Sequence, residues 1–218
     1  MNAPYKELIS IKSDTVFLEA ALELPENPIG IVAFAHGSGS NRMSSRNNYI
    51  AEQLHQARIA TLLLDLLTKS ENHTDPTRFN IKLLTMRLNA VCHWIEQTRI
   101  IAKLPLGLFG SSTGAAAVLQ VAATHSKGIA AIVSRSGRLD LASHNALRSV
   151  YAPTLLIVGG HDYSVIDVNR HAYFLLSCKK RLEIITGASH LFEEPGTLEK
   201  VSELAVAWFL KYLPPAPQ

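Results

Sequence analysis

A serine between two glycines, Gly110-x-Ser112-x-Gly114, follows a short apolar run and precedes an alanine-rich run. These flanks predict a strand, a sharp turn and a helix, and the two glycines leave room for that turn. The turn would expose the serine Oγ at the end of the strand, where unpaired N–H groups at the helix N-terminus favour negative charge. The pattern therefore predicts that Ser112 is a nucleophile.

Two residues at the ends of later apolar runs would complete a catalytic set. Asp162 follows the run 153–158, and His190 follows the run 182–186. A serine hydroxyl needs a base during attack, and His190 would take its proton and pass it to the leaving group. Asp162 would hold the imidazole in the required tautomer. We therefore expect Ser112, Asp162 and His190 to act together.

Structural alternatives exist for each of these residues. Ser112 and Asp162 could each cap a helix, and His190 could be an ordinary loop histidine. Asp167 is a second candidate acid, and His161 is a second candidate base. Because His161 lies beside the acid on one short loop, it would reach Ser112 with difficulty, and His190 is the preferred base.

A loop of small residues, 36–40 with the sequence HGSGS, follows the apolar run 29–35. Small residues let backbone N–H groups approach a ligand closely. We predict that the N–H groups of Ser38 and Thr113 form an oxyanion hole. We also expect Gly37 to contact the substrate.

Two arginines, Arg135 and Arg138, follow the apolar run 129–133. Guanidinium groups bind carboxylates and phosphates through paired hydrogen bonds, so both arginines could hold an anionic part of the substrate. The alternative, which we prefer from the sequence, is an ion pair with Asp140 or another surface acid.

Apolar runs alternate with helical patterns along the whole chain. This alternation predicts an α/β fold, with a mainly parallel sheet of about seven or eight strands and helices on both faces. In such sheets ligands bind beyond the carboxyl ends of the strands, which is where the candidate residues lie. The predicted strands are Glu7–Ile11, Val16–Leu24, Ile29–Ala35, Ile59–Leu64, Leu104–Phe109, Ile129–Val133, Pro153–Val158 and Leu182–Thr186. The predicted helices are Ser44–Ala57, Thr77–Thr98, Thr113–Thr124, Ile166–Leu176 and Leu198–Tyr212.

The composition predicts one globular domain. The 218 residues are 47% hydrophobic and 18% charged, with a net charge of +3. We expect a domain over residues 1–213 and a proline-rich tail over 214–218. Interspersed charges do not favour a nucleic-acid partner, and the chain shows neither a signal peptide nor a membrane-spanning run. We therefore expect a cytoplasmic protein that is a monomer or homodimer and needs no cofactor. We also expect no bound metal, since the nine histidines lack metal-ligand spacing.

Five motifs resemble those of the dienelactone hydrolase family of α/β-hydrolases: 36–40, 110–116, 133–142, 152–160 and 189–196. The similarity runs from 29 to 213 and is greatest to hydrolase domains found alone or fused to phosphoribosyltransferase domains. It implies an α/β-hydrolase fold with Ser112, Asp162 and His190 as the triad. Dienelactone hydrolases proper carry a cysteine nucleophile, so the serine here implies ester hydrolysis through a serine acyl-enzyme.

The interval Ser134–Ala152 can hold one short helix but no cap domain. An open site offers long acyl chains little buried area, so small or polar acyl esters are the expected substrates. A thioesterase or acyltransferase would use the same triad, and a non-catalytic ligand-binding protein could keep the same fold. The expected partner is a small-molecule ester, with no membrane or nucleic acid involved.

Overall fold

An eight-stranded sheet runs through the molecule in the order β1-β2-β4-β3-β5-β6-β7-β8. The computed structural model describes residues 4–71, 75–125 and 128–213, so the predicted tail 214–218 lies outside the described residues. The strands are β1 (Tyr5–Ser13), β2 (Val16–Leu24), β3 (Gly30–Ala35), β4 (Ile59–Leu64), β5 (Leu106–Ser111), β6 (Ile129–Arg135), β7 (Thr154–Gly159) and β8 (Lys180–Ile185). The helices are α1 (Ser45–Gln56), α2 (Asp75–Arg78), α3 (Ile81–Gln97), α4 (Thr113–Thr124), α5 (His144–Arg148), α6 (Tyr163–Leu175) and α7 (Thr197–Tyr212).

The predicted α/β-hydrolase architecture is confirmed. Strands β3 to β8 pair in parallel, while the β1–β2 hairpin joins the edge of the sheet antiparallel to β4. Every residue of β3, β4, β5 and β7 is buried, as expected for apolar strands covered on both faces. The carboxyl ends of the parallel strands therefore meet at one edge of the sheet, where loops can bring distant residues together.

Helices cover both faces of the sheet and form two hydrophobic layers. One layer contains Ile50 and Leu54 of α1 with Val201 and Phe209 of α7. The other contains apolar residues of α3, α4 and α6, including Leu88 of α3. The sheet that carries the site loops is therefore packed against a hydrophobic layer on each face.

The predicted helix Thr77–Thr98 is divided in the structure. Helix α2 ends at Arg78, and α3 begins at Ile81 after Asn80. The Asn80 side chain accepts a hydrogen bond of 3.1 Å from the Leu83 N–H and so caps α3. The division follows from this cap, because a capping asparagine has a non-helical backbone.

No cap domain lies between β6 and β7. That interval holds a single 3-10 turn, Leu139–Leu141, and the five-residue helix α5. This interval therefore supplies no domain that could cover the carboxyl edge of the sheet. Within the described residues, no helix is both long enough and apolar enough to cross a membrane.

Candidate active site

Ser112 lies at the apex of a sharp turn between β5 and α4. Its backbone has φ 49° and ψ −120°, a conformation that non-glycine residues rarely adopt. Its N–H donates to the Arg135 carbonyl at 3.1 Å, and its carbonyl accepts from the Arg138 N–H at 3.1 Å. These bonds to the loop after β6 hold the strained turn in place.

The two glycines that flank Ser112 are required by close backbone contacts. A Cβ on Gly110 would lie 2.4 Å from the Ala115 Cα, and a Cβ on Gly114 would lie 2.2 Å from the Ala35 carbonyl oxygen. Both distances are far below contact distance. The glycines therefore let α4 pack directly against its own strand and against the end of β3.

Asp162 and His190 meet across the loops that follow β7 and β8. The Asp162 Oδ2 lies 2.6 Å from the His190 Nδ1. Asp162 precedes α6 but makes no side-chain capping bond, because its carboxylate is directed to the imidazole. The alternative residues lie elsewhere: His161 is exposed, and the exposed Asp167 pairs with Arg170 at 3.5 Å.

Two further residues hold the His190 loop, and neither was predicted from the sequence. The Ser136 hydroxyl donates to the His190 carbonyl at 3.1 Å, and the Glu194 carboxylate accepts from the Ser189 N–H at 3.0 Å. The latter bond lowers the pKa of Glu194. Ser136 also has a positive φ of 45°. The segment 189–196 carries one of the family-like motifs, but its sequence alone does not show which backbone group a glutamate binds.

Ser112 and His190 both line two cavities. One, of about 320 Å³, also contains Gly37, Ser38 and Arg135. The other, of about 670 Å³, has a different far wall, formed by Phe79, Arg138, Asp140, Asp162, Ser164, Val165 and Val168. Among the described residues, the Ser112 hydroxyl has no hydrogen-bond partner. Hydrogen bonds between nucleophile and base are often long before a substrate binds.

The loop after β3 lies against the Ser112 turn. A Cβ on Gly37 would come within 2.9 Å of the Ser112 Cβ, so only glycine permits this approach. The Ser38 N–H donates to the Thr113 Oγ1 at 2.9 Å. Thr113 is the first residue of α4, and N–H groups in that position have no partner inside the helix. The two predicted oxyanion donors are thus adjacent, with the Ser38 N–H engaged by the Thr113 side chain.

A buried histidine, His36, orders this loop from below. The Leu66 N–H donates to the His36 Nε2 at 3.2 Å, so the other ring nitrogen carries the proton and donates to the Gly37 carbonyl at 2.9 Å. Burial lowers the pKa of His36 below its ordinary value, despite opposing effects from the Gly37 carbonyl and Asp65. His36 is therefore a neutral link between two loops of the site.

Protonation of His36 is expected to weaken the fold at acidic pH. The stabilising effect is fully present above the unfolded pKa of about 6.5. It is lost as the pH falls from that value to the lower folded pKa, because in this range only the unfolded chain takes up the proton. Between pH 7 and pH 5.5, wild type should lose more free energy of unfolding than His36→Asn, by up to about 1 kcal/mol, the limit that the unfolded pKa sets. Urea denaturation at both pH values measures this difference. Burial also lowers the pKa of His55, which both proteins share. Equal losses would contradict the prediction.

The two predicted substrate arginines have different surroundings. Arg138 is paired with Asp140, through Nη2 to Oδ2 at 2.7 Å and Nε to Oδ1 at 2.9 Å, which is the alternative preferred from the sequence. Arg135 belongs to β6 itself, since the strand runs two residues beyond its predicted end, and it is only 6% exposed. The two arginines line different cavities beside Ser112.

Comparison with known proteins gives both sequence relatives and similar structures. No family model matches the chain. Two proteins of Mycobacterium tuberculosis, from strains CDC 1551 and H37Rv, are 49% identical over 207 residues and bear the name "putative phosphoribosyl transferase". The match covers 95% of this chain but 46% of theirs, so the chain spans about half the length of these relatives.

Among solved structures, the esterase Est1E of Butyrivibrio proteoclasticus has a TM-score of 0.80 at 17% identity, covering 94% of this chain and 98% of its own. A lidless α/β serine hydrolase of Xanthomonas campestris has a TM-score of 0.75 at 20% identity, covering 97% of both chains. At these identities the likeness shows the fold alone.

A dienelactone hydrolase of Anabaena variabilis is much more similar. Its crystal structure has a TM-score of 0.93 and 48% sequence identity, and the match covers 97% of this chain and 100% of that one. Identity at this level over almost the whole of both chains, with closely similar folds, shows common descent. The chain described here belongs to the dienelactone hydrolase family.

Proposed function

We propose that this hydrolase cleaves carboxylic esters of small or polar acyl groups through an acyl-enzyme on Ser112. The observation that carries the proposal is the 2.6 Å contact between Asp162 and His190 in a site that Ser112 shares. Family membership supports hydrolysis as the reaction. Because the nucleophile is a serine and not a cysteine, the proposed acyl-enzyme is an oxygen ester and not a thioester.

In the proposed mechanism, His190 Nε2 takes the proton of Ser112 as Oγ attacks the ester carbonyl carbon. Asp162 accepts the Nδ1–H bond and stabilises the imidazolium that forms. The tetrahedral intermediate then collapses, the C–O bond to the alcohol breaks, and the imidazolium protonates the departing oxygen. Water attacks the acyl-enzyme by the same sequence, which releases the acid and restores the serine.

The oxyanion of each tetrahedral intermediate would accept hydrogen bonds from the N–H groups of Thr113 and Ser38. The Thr113 N–H belongs to the first turn of α4, where the helix dipole also favours negative charge. The Ser38 N–H would have to be shared with, or released by, the Thr113 hydroxyl that now accepts it. Gly37 lets this loop lie directly against the Ser112 turn, as two donors to one oxygen would require.

The substrate range follows from the open edge of the sheet. Among the described residues, only a short helix lies between β6 and β7, so no cap domain from this interval covers either cavity. A long acyl chain would therefore gain little burial there. Serines and arginines form much of the smaller cavity, which suits polar groups. Arg135 and Arg138 remain proposed substrate contacts, one on each side of the nucleophile, and the proposed partner is a small-molecule ester.

Detection of the acyl-enzyme tests this proposal. With p-nitrophenyl acetate, wild type should release a burst of p-nitrophenol equal to the enzyme concentration if deacylation is the slower step. Rapid quenching followed by mass spectrometry should find the acetyl group on Ser112, and fragmentation distinguishes it from the neighbouring Ser111. Turnover with an adduct on another residue, or labelling of no residue by a fluorophosphonate, would overturn the proposal.

A further inference from the structure

Arg135 is a buried cation without a counter-ion. The residue is only 6% exposed, and its Nη1 atom has no hydrogen-bond partner among the described residues. In the part of the chain that the structure describes, no carboxylate pairs with its guanidinium. The residue lies beside Ser111 in the β5–β6 pairing, next to the nucleophile. A buried charge in this state is costly for folding, so a partner from outside the chain would be favourable.

A second arginine, Arg46, faces the same cavity. It lies in the first turn of α1, where a cation opposes the helix dipole and where no acidic residue is present. Its Nε atom is buried without a partner, and its Nη1 is 3.4 Å from the carboxylate of Glu193, which is 64% exposed. Because the Glu193 carboxylate is exposed and screened by solvent, it cannot neutralise the charges of two guanidinium groups.

The two arginines repel each other across the cavity. Burial lowers the pKa of Arg135 to about 10, and the charge of Arg46 contributes in the same direction. An oxyanion between the two side chains would remove the repulsion and supply the missing hydrogen-bond acceptor. Guanidinium groups suit this task, because their planar N–H donors match the two oxygens of a carboxylate or phosphate.

We propose that Arg46 and Arg135 form an anion subsite, and that the natural ester carries a carboxylate or phosphate group bound there. The inference rests on the proposed function and adds a substrate class to it. From the sequence, Arg135 and Arg138 were the two candidates for binding an anionic part of the substrate. In the proposed subsite, Arg46 takes the place of Arg138. Arg138 is already paired with Asp140 and lines the other cavity, which then receives the uncharged part of the ester.

Matched ester pairs test the subsite. One pair, 4-nitrophenyl hemiglutarate and 4-nitrophenyl valerate, differs by a carboxylate on the acyl side. The other, 4-carboxyphenyl acetate and phenyl acetate, differs by a carboxylate on the alcohol side. Wild type should prefer the anionic member of one pair by about 10- to 100-fold in kcat/KM, the range expected for hydrogen bonds to a charged group. The preferred pair shows which part of the ester carries the charge.

Arg46→Gln and Arg135→Met should each remove most of this preference, measured as the ratio of kcat/KM between the two members of the preferred pair. Arg170→Gln is the matched control, because it removes one positive charge from an exposed pair on α6 and should keep the preference. Equal kcat/KM for both members of both pairs in wild type would overturn the subsite. So would a preference that Arg46→Gln leaves intact.

A thermal measurement separates this proposal from the proposed function. Inorganic phosphate should raise the Tm of wild type and of Arg170→Gln but not that of Arg46→Gln, because binding to the folded state stabilises it. Without phosphate, Arg135→Met should melt at a higher temperature than wild type, since it removes an unpaired buried charge. If no ester is hydrolysed, the proposed ester mechanism fails. The effect of phosphate on Tm then shows by itself whether the anion subsite exists.

Discussion

Ser112→Ala should lower kcat/KM for p-nitrophenyl acetate by about 10⁵- to 10⁶-fold and abolish the burst. The alanine removes the only atom that can form the acyl-enzyme in the proposed mechanism. The backbone donors near Thr113 would remain, so a small rate above that of water should persist. The variant should fold normally, because alanine adopts the backbone of the turn about as well as serine.

Steady-state and stopped-flow assays of purified Ser112→Ala measure this loss, and circular dichroism checks its fold. Ser111→Ala is the control, since Ser111 is the adjacent serine, is buried at the end of β5 and lines the same cavity. It should keep the burst. A Ser112→Ala enzyme with a tenth or more of the wild-type rate would rule out the serine acyl-enzyme.

Gly114→Ala is expected to destabilise the protein by more than about 3 kcal/mol, or about 6–12 °C in Tm. In an ordinary helix this substitution stabilises by about 1 kcal/mol. Here the added Cβ would lie 2.2 Å from the Ala35 oxygen and 2.5 Å from the His36 oxygen. Both are backbone atoms, so relief requires α4 to move away from the end of β3.

The same movement should separate the Thr113 N–H from the loop that carries Ser38. We therefore expect the folded fraction of Gly114→Ala to lose about 10²- to 10³-fold in kcat, the cost of one oxyanion donor. Gly128→Ala is the control, because the nearest atom to its Cβ is a glutamate oxygen at 3.7 Å. A Gly114→Ala protein as stable and active as this control would contradict the packing described here.

The order of Ser112, Asp162 and His190 along the chain was enough to predict that they lie at one edge of the sheet. Each follows a buried apolar strand, and parallel strands end on the same side. Strand and helix types were also predictable, because the apolar runs are continuous and the helical ones periodic. The ends of the strands were less predictable than their type. Strand β6 extends to Arg135 instead of ending at Val133, so Arg135 is a buried strand residue and not a loop residue.

Contacts between distant loops could not be read from the sequence. The Ser136 hydroxyl binds a carbonyl 54 residues away, and Arg46 approaches Glu193 across 147 residues. Such contacts depend on how far each loop extends beyond its strand, which apolar periodicity does not specify. For this reason Arg46, in the first turn of a helix, gave no signal of a role in the site.

The left-handed backbone at Ser112 also affects how the chain could evolve. Such a conformation costs a non-glycine residue about 1–3 kcal/mol, whereas glycine adopts it freely. Stability alone would thus favour glycine at position 112, and only the use of the hydroxyl opposes that replacement. A lineage released from catalysis should therefore acquire a third glycine in this turn and become more thermostable as it does so.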